Sequence, residues 1–251
     1  MSIKTETRRK AIISYLQDKK QANIKELSAH FNVTTETIRK DLFALEQRGS
    51  IQKHHGWAQF IDKYNELPID VKMEENIELK QRIALQAVEL INDNSLIYLD
   101  PGSTTLAMTN YLPLKKDLTI VTCSLPIAQR LLSTKHEIIL LGGKLQKKGS
   151  TAVGAFTLEN LEHVKIDMAF MGTDGFYQCD GPTTFSYEEL IIKQKVLEKA
   201  TKKYLLCDVT KFSKTGTYPF GKFAQYDCII TNNITLEERK QIEEAKEILC
   251  V

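Results

Sequence analysis

The sequence lacks long hydrophobic runs and has no closely spaced pair of cysteines. Its apolar runs, such as Ile138 to Leu141, fall far short of the roughly 20 residues that a membrane-spanning helix needs. The first residues are charged and do not resemble a signal peptide. The five cysteines are odd in number and widely scattered, so neither a disulfide framework nor a zinc site is expected. We therefore expect a soluble, cytoplasmic protein with reduced cysteines, no metal, no cofactor and no membrane partner.

The chain as a whole has no large excess of positive or negative charge, because 34 lysines and arginines nearly balance 32 aspartates and glutamates. The distribution along the chain is uneven. Residues 1–60 hold 11 basic and 6 acidic residues, a net charge of +5, which leaves 23 basic against 26 acidic residues, or −3, for the rest. A basic N-terminal part joined to a neutral or acidic remainder is typical of a nucleic-acid-binding module attached to a partner domain.

The N-terminal part predicts three helices. The segment Thr34 to Gly49 is amphipathic, and Gly49 is suited to ending its helix. Its apolar stripe at helical spacing consists of Ile38, Leu42 and Leu45. Two earlier helices are predicted over 5–18 and 24–31, with a tight turn at Asn32-Val33. A helix, a short turn and a second helix with a polar outer face is typical of a helix-turn-helix, whose recognition helix enters the DNA major groove.

The recognition helix and the residues after it supply the candidate DNA contacts. Candidates for the groove are Thr35, Glu36, Arg39 and Lys40, because arginine pairs bidentately with guanine and glutamate accepts from cytosine N4. Thr37 is a candidate for a phosphate contact, although simple helix capping is an alternative for any of these threonines. Residues 50–56 predict a β-hairpin wing, whose Lys53, His54 and His55 would face the phosphate backbone.

The order of residues from Leu27 to Gly56 is specific. It reads L-S-x-x-F-x-V-x-x-x-T-I-R-K-D-L-x-x-L-E-x-x-G-x-I-x-K-x-H-G and resembles the winged helix-turn-helix of the DeoR-type family of bacterial sugar-metabolism regulators. Trp57 stands where that family usually has a second glycine. The resemblance implies sequence-specific binding to double-stranded operator DNA.

From Lys80 onward, short apolar segments alternate with helical patterns. Strands are predicted at 95–99, 118–122, 137–141, 168–171, 204–207 and 228–231, and helices at 80–92, 105–112 and 125–132. This alternation predicts an α/β domain with a largely parallel sheet covered by helices on both faces. The expected organisation is therefore a winged helix-turn-helix domain at 1–58, a linker at 59–79 and an effector domain at 80–251.

Polar and glycine-rich turns follow successive predicted strands. Ligands of parallel sheets bind at the carboxyl ends of the strands, so these turns are expected to form one site. The turn at 100–105 opens a helix and is suited to an anion such as phosphate. The candidate effector-binding residues are Asp100, Gly102, Ser103, Thr104, Thr105, Thr122, Ser124, Gly142, Gly143, Asp174, Gly175 and Lys211. Each turn alone is a weak signal, and their repetition favours a site.

Residues 80–232 resemble the DeoR-type effector domain, whose Rossmann-like fold is similar to that of ribose-5-phosphate isomerase. The family's D-x-G-T-T occurs at 100–105 with Ser103 added, its T-N-S at 122–124 with Cys123 in place of asparagine, and its D-x-S-K-F at 208–212 with threonine for serine. The resemblance implies a phosphorylated sugar as effector, and the change at Cys123 implies a different sugar selectivity. It also implies a repressor of a carbohydrate catabolism operon, which we expect to act as a homo-oligomer on paired half-sites.

Two other functions stay open at this point. One is a sugar-phosphate isomerase or deaminase, and the other is a DNA-binding architectural protein. Isomerases of similar fold carry D-G-A-D-E and a later lysine for proton transfer. Here Met171 to Gly175 retains one carboxylate, and Gln178 to Pro182 contains no lysine. Glu189 and Lys193 are interpreted as an exposed i, i+4 ion pair. A sensor without catalytic residues is therefore predicted.

Overall fold

The computed structural model describes residues 3–47, 51–60 and 68–251. The chain forms two compact units, Met1–Asn65 and Glu66–Val251. Each unit has its own hydrophobic core. Across the described ranges, no helix is long and apolar enough to cross a membrane.

The first unit is a small helical domain with a three-stranded sheet. Its elements are α1 (Ile3–Lys19), β1 (Gln21–Asn23), α2 (Ile24–His30), α3 (Thr35–Gln47), β2 (Ile51–His54) and β3 (Trp57–Phe60). The core is made by side chains from all three helices and the sheet, among them Ile12, Leu16, Leu27, Ile38 and Leu42, each with no exposed surface. Burial of this shared apolar surface drives the three helices to pack together, because most of the stability of helices in proteins comes from tertiary packing.

The sheet joins the chain before α2 to the hairpin after α3. Its strand order is β1-β3-β2, and both pairings are antiparallel. Strand β1 was not expected from the sequence, because three residues carry no measurable alternation. Asn23 ends β1 and caps α2, since its Oδ1 accepts the N–H of Glu26 at 2.8 Å.

The winged helix-turn-helix predicted from the sequence is confirmed. The turn between α2 and α3 contains Asn32 at φ 49°, a left-handed conformation that asparagine tolerates. The wing is the β2–β3 hairpin, and Gly56 in its two-residue turn has φ 87°. The predicted helix end at Gly49 lies outside the described residues, as does residue 50 at the start of the wing.

The second unit is an α/β domain. Its helices are α4 (Ile69–Glu74), α5 (Ile77–Glu89), α6 (Ser103–Met108), α7 (Leu125–Leu131), α8 (Ala155–Glu162), α9 (Tyr187–Lys199) and α10 (Leu236–Gln241), with short 3-10 turns at Leu112–Leu114, Val209–Ser213 and Phe223–Gln225. The strands of its large sheet are β4 (Leu96–Leu99), β5 (Thr119–Thr122), β6 (Glu137–Leu140), β9 (Ile166–Gly172), β11 (Ala200–Leu206), β13 (Cys228–Thr231) and β14 (Ile248–Cys250). Two small antiparallel pairs complete it: β7 (Lys144–Gln146) with β8 (Thr151–Val153), and β10 (Thr183–Thr184) with β12 (Tyr218–Pro219).

The large sheet has seven parallel strands in the order β14-β13-β11-β9-β4-β5-β6. Side chains alternate between its faces, so Tyr98 packs in one hydrophobic cluster while Ile97 and Leu99 pack in the other. Helices cover both clusters, which explains why the strands read as continuous apolar runs. The predicted α/β fold class is confirmed.

Several details differ from the sequence-based expectation. The predicted linker at 59–79 includes the end of β3, all of α4 and the start of α5, while residues 61–67 lie outside the described residues. Helix α4 has only six residues, too few to show a helical period. Helices α8, α9 and α10 and strand β14 were not predicted.

Candidate functional site

Helix α3 has one buried face and one exposed face. Asp41, Leu42 and Leu45 are almost fully buried, whereas the exposed side carries Glu36, Arg39, Lys40 and Phe43. The Arg39 and Glu36 side chains are 59% and 63% exposed and form a 3.6 Å ion pair, which at this exposure holds them only weakly. The predicted groove residues of this face are therefore available to a partner.

The threonines at the start of α3 have mainly local contacts. Thr34 Oγ1 accepts the backbone N–H of Thr37 at 3.2 Å and lies 2.9 Å from Thr37 Oγ1. Thr34 is thus the helix cap, and Thr37 and Thr35 are half-buried.

The wing packs against the exposed side of α3. The Lys53 ammonium lies 5.4 Å from the centre of the Phe43 ring and 3.9 Å from Glu46. His54 stacks on Trp57 with ring centres 3.8 Å apart, while His55 at the hairpin tip is exposed. Trp57, at the position where the DeoR-type motif usually has glycine, therefore stabilises the wing through its contact with His54.

A buried ion cluster fixes α1 on α3. Asp41 accepts from Arg8 Nε at 2.6 Å and from Arg9 Nε at 2.9 Å, and its side chain is 2% exposed. These two arginines contribute to the basic N-terminal charge, but the structure directs them toward Asp41. Sequence reasoning missed this role because the partners are more than 30 positions apart.

In the second unit, the order of the strands reverses direction next to β4. Strands β5 and β6 follow β4 on one side of it in the sheet. The next strand of the large sheet along the chain, β9, lies on the other side of β4. A crevice forms at such a switch point, at the carboxyl ends of the strands. The turns after β4 and β9 line a pocket there.

This pocket is lined by Lys72, Asp100, Pro101, Gly102, Ser103, Thr104, Gly172, Thr173, Asp174, Glu189, Lys193 and Lys211. Its empty space measures about 430 Å³ including the open mouth. Three lysines and three carboxylates are a dense set of charges for a cleft of this size. The groups that line this cleft are therefore mostly polar and charged.

Asp100 is the centre of the pocket floor. It is fully buried, pairs with Lys193 and accepts the Gly172 N–H at 2.8 Å on Oδ2. Its other oxygen, Oδ1, is buried and has no hydrogen-bond partner among the described residues. Burial alone would lower the pKa of Lys193, but Asp100 and Glu189 outweigh it and raise that pKa. Lys193 is thus held in its charged form.

A second ion pair closes one side of the pocket. Lys72 Nζ on α4 lies 2.8 Å from Asp174 Oδ1, and Asp174 Oδ2 accepts the Phe185 N–H at 3.2 Å. Burial alone would raise the pKa of Asp174, but the charges of Lys72 and Lys211 lower it. Asp174 is therefore a carboxylate at neutral pH.

Lys211 differs from the other two lysines of the pocket. Within the described ranges its ammonium has no hydrogen bond or ion pair, although its charge lowers the pKa of nearby Asp208, against the effect of burial. Neighbouring Lys80 is 5% exposed, and burial together with the Lys211 charge lowers the pKa of Lys80 to about 8. This side of the pocket is thus electropositive.

The structure divides the predicted effector-binding residues. Those that line the pocket are Asp100, Gly102, Ser103, Thr104, Asp174 and Lys211. The remaining six, which are Thr105, Thr122, Ser124, Gly142, Gly143 and Gly175, do not line it, and their polar groups serve the backbone nearby. Thr105 Oγ1 donates to the Asp100 carbonyl, Thr122 Oγ1 donates to the Leu99 carbonyl at 2.7 Å, and Ser124 caps α7.

The glycine pair lies at a packing contact. Gly143 has φ 151°, and a Cβ there would lie 2.2 Å from Thr157 Oγ1 of α8. Thr157 Oγ1 also donates to the Gly142 carbonyl at 2.7 Å. These glycines therefore allow the loop to approach α8 closely.

Three charged pocket residues were not predicted, namely Lys72, Glu189 and Lys193. The interpretation of the latter two as an exposed pair is wrong, because Glu189 and Lys193 are 5% and 4% exposed. Glu189 accepts from Thr184 Oγ1 at 3.1 Å, and Lys193 turns to Asp100. The comparison with isomerases considered only the segments 171–175 and 178–182, and α9 adds one further carboxylate and one further lysine to the pocket. A helical period that places charged residues on the stripe with Ile192 and Val196 was the available signal.

An exposed recognition helix with a wing, joined in one chain to a charged ligand pocket, defines the class of ligand-responsive DNA-binding regulators. Family models agree with both halves: the DeoR-like helix-turn-helix domain matches residues 8–64, and the DeoR C-terminal sensor domain matches residues 75–233. The chain belongs to the DeoR family of helix-turn-helix transcriptional regulators.

Individual relatives cover nearly the whole chain. The transcriptional regulator FruR of Bacillus subtilis is 32% identical over 91% of this chain and 91% of its own length. The glycerol-3-phosphate regulon repressor of Escherichia coli is 28% identical over 92% of each chain, and the lactose phosphotransferase system repressor of Staphylococcus epidermidis is 32% identical over 89% of this chain and 90% of its own. Among solved structures, ribose 5-phosphate isomerase A of Methanocaldococcus jannaschii shares 18% identity with a TM-score of 0.41 over 55% of each chain.

Proposed function

We propose that the protein is a repressor of a carbohydrate catabolism operon whose affinity for operator DNA changes when a phosphorylated sugar occupies the pocket between β4 and β9. The supporting observation is the ammonium of Lys211, which lines the pocket and has no hydrogen bond or ion pair among the described residues. A phosphate group on the ligand suits this ammonium.

The remaining lining residues fit the same ligand. Backbone N–H groups and hydroxyls of Gly102, Ser103 and Thr104 lie beside Asp100 and supply neutral donors to phosphate oxygens. Two relatives are named as repressors of glycerol-3-phosphate and lactose systems, which supports a sugar-derived effector and repression as the outcome.

For DNA, we propose that the exposed face of α3 enters the major groove of an operator half-site. Arg39, Lys40 and Glu36 contact base edges there, and Lys53 and His55 of the wing contact phosphate. The protein acts in the cytoplasm as a homo-oligomer, so that two such units read paired half-sites.

Binding without catalysis is favoured over isomerase chemistry. Isomerisation needs a carboxylate placed to remove a proton. In the pocket, Asp100 is paired with Lys193, Asp174 is paired with Lys72, and Glu189 is hydrogen-bonded to Thr184. The matched relatives are transcriptional regulators, which supports the same reading.

Thermal unfolding with a panel of ligands tests this proposal. Wild-type protein is measured with glycerol 3-phosphate, fructose 1-phosphate, fructose 6-phosphate and glucose 6-phosphate, each beside its unphosphorylated counterpart, and product formation is followed in parallel. At 100 times its dissociation constant, the effector adds about 2.7 kcal/mol to the stability of the protein. Lys211→Met removes a charged hydrogen bond worth about 1.5–3 kcal/mol and weakens binding accordingly.

The exposed Lys202 provides the matched control. Lys202→Met is expected to bind the effector as the wild type does. Turnover of any phosphorylated sugar contradicts the proposal that the protein is a regulator only. If no phosphorylated sugar in a wider panel stabilises the protein, the proposed class of effector is wrong.

A further inference from the structure

Helix α4 follows residues 61–67 of the chain, where the two units are joined in sequence, and it also reaches the effector pocket. We refer to residues 68–76 as the α4 segment. The Lys72 side chain, from the middle of this segment, lines the pocket and is 17% exposed. The segment is therefore the first part of the described second unit, and it contributes a charged group to the ligand site.

The α4 segment is held by polar contacts and by two apolar side chains, Ile69, which is buried, and Met73, which packs against the core cluster that contains Ile83 and Leu106. The Ile69 N–H donates to the Lys148 carbonyl at 3.0 Å, and Lys72 Nζ donates to Asp174 at 2.8 Å. Lys80 Nζ, from α5, donates to the carbonyls of Lys72 and Glu75, the latter at 2.7 Å. Ile69 is buried, whereas Asp70 and Glu74 are exposed. A six-residue helix held by such contacts is stable only through them.

The three pocket lysines belong to different elements. Lys193 lies on α9 and Lys211 lies on the 3-10 turn at Val209–Ser213, and both elements are anchored in the body of the domain. Lys72 alone among them is on the α4 segment. A ligand that binds Lys72 therefore acts directly on this segment.

A phosphate group competes with Asp174 for the Lys72 ammonium. The group carries up to two negative charges and three acceptor oxygens, so it is a stronger partner than one carboxylate. Bound beside the loop at Gly102 to Thr104, it would link that loop to α4 through Lys72. Occupancy of the pocket would then tighten the attachment of the α4 segment.

We propose that Lys72 couples effector binding to the chain that leads to the DNA-binding unit, by tying the α4 segment to the bound phosphate. This inference rests on the proposed effector site. In this proposal the attachment of the α4 segment is what changes with occupancy of the pocket, and a coupling free energy of ordinary size changes operator affinity about 5- to 150-fold.

Hydrogen–deuterium exchange with labelling from milliseconds onward tests the coupling in the full-length protein. The probe is whichever phosphorylated sugar of the panel stabilises the wild type, with inorganic phosphate as a second probe. We expect slower exchange at residues 70–76 and at the 102–104 loop in the wild type. In Lys72→Met, at saturating probe, the loop stays protected and the α4 segment does not. Glu74→Gln, a change at an exposed residue of the same helix, is expected to behave as the wild type does.

The wild-type experiment distinguishes failure of the coupling from failure of the effector site. Protection of the loop without protection of residues 70–76 overturns the coupling and leaves the effector site standing. Protection of neither region contradicts the effector site itself.

A second measurement uses an operator selected from a random duplex pool. Saturating probe is expected to change the affinity of the wild type for this operator by about 5-fold or more, and that of Lys72→Met by less than about 2-fold. Lys72→Arg, which keeps the charge, is expected to restore part of the response. An unchanged response in Lys72→Met at saturation overturns the inference.

Discussion

Lys193 and Asp100 form a buried ion pair although 93 positions separate them in the sequence. Their side chains are 5% and 1% exposed, so water solvates neither charge. Asp100 also accepts the Gly172 N–H, which joins the carboxyl ends of β4 and β9. The pair therefore fixes the pocket floor at the point where the strand order reverses.

Removing the lysine is expected to destabilise the second unit strongly. Lys193→Met leaves the Asp100 carboxylate buried without its counter-charge, which costs about 3–5 kcal/mol. Urea denaturation, followed through the transition of this unit, measures the loss. Lys195→Met is the matched control from the same helix, because Lys195 is more exposed and pairs with exposed Glu162, at a cost of about 0–1 kcal/mol.

The double variant Asp100→Asn/Lys193→Met checks the cause. Replacing both charges removes the unpaired carboxylate, so it should recover much of the lost stability. If Lys193→Met costs no more than Lys195→Met, then the ion pair does not hold the pocket floor.

Asp41 should also stabilise the first unit. Asp41→Asn weakens two charged hydrogen bonds, while Arg9, which is 8% exposed, keeps its ion pair with Glu6 at 3.2 Å. The expected loss is about 1.5–3 kcal/mol in the first unit, with weaker DNA binding at physiological temperature. Scanning calorimetry measures it as a lower transition temperature of that unit. Glu36→Gln, at a 63% exposed side chain, should change stability by less than about 0.5 kcal/mol. Equal transition temperatures for Asp41→Asn and wild type would contradict the anchoring role of this carboxylate.

Local chemistry made much of the fold predictable. Strands such as β5 and β13 are short apolar runs between turn residues, and α3 has one apolar stripe, so their patterns follow directly from burial. Helix α9 was missed because its apolar residues are interrupted by Glu189 and Lys193 on the buried side. Charged residues in a buried stripe resemble a solvated face until their partners are known.

The pocket was predictable only in part, for a related reason. The turn at Asp100 to Thr104 carries its own signal, since small and hydroxyl residues open a helix after a strand. The roles of Lys72 and Lys193 depend on partners 102 and 93 positions away, and no local pattern encodes such contacts. Conversely, Thr122 and Ser124 lie at the end of a strand, where ligand-binding residues are expected. Their hydroxyls nevertheless form hydrogen bonds with backbone groups. The residue types that stabilise turns are also those that bind polar ligands, so residue type alone does not distinguish the two roles.

Arg39 provides a direct test of the DNA-reading face. Its exposed side chain has only a weak ion pair to lose, so Arg39→Ala should leave thermal stability nearly unchanged. Loss of a bidentate contact to guanine should weaken operator binding by about 1–3 kcal/mol, which is roughly 5- to 150-fold. Gel-shift titration with the selected operator measures this, and effector affinity should not change. Lys19→Ala, at the exposed end of α1, is the control for general loss of positive charge. If Arg39→Ala binds the operator as tightly as the wild type does, then Arg39 does not contact the bases.

Lys80 should give the second unit an unusual stability profile at alkaline pH. Its pKa falls from 10.5 in the unfolded chain to about 8 in the fold, because burial and the Lys211 charge disfavour the ammonium. Below pH 8 both states carry the proton, and the folded state bears the full penalty. Between pH 8 and pH 10.5 the unfolded state holds more protons than the folded state, so this group raises stability as pH rises. The total change is about 3 kcal/mol for a group 5% exposed.

Comparison of the wild type with Lys80→Met separates the contribution of Lys80 to stability from those of other groups that titrate in the same pH range. The stability of wild type minus that of the variant, from urea denaturation at pH 7.5, 9 and 10.5, should rise toward alkaline pH. Lys115→Met controls for lost hydrogen bonds, because Lys115 also donates to two backbone carbonyls, those of Glu89 and Ile91. A difference between wild type and Lys80→Met that stays flat across this range would mean that Lys80 keeps its proton in the fold. The Lys80 bonds to the Lys72 and Glu75 carbonyls would then hold the α4 segment as an ammonium at every pH measured.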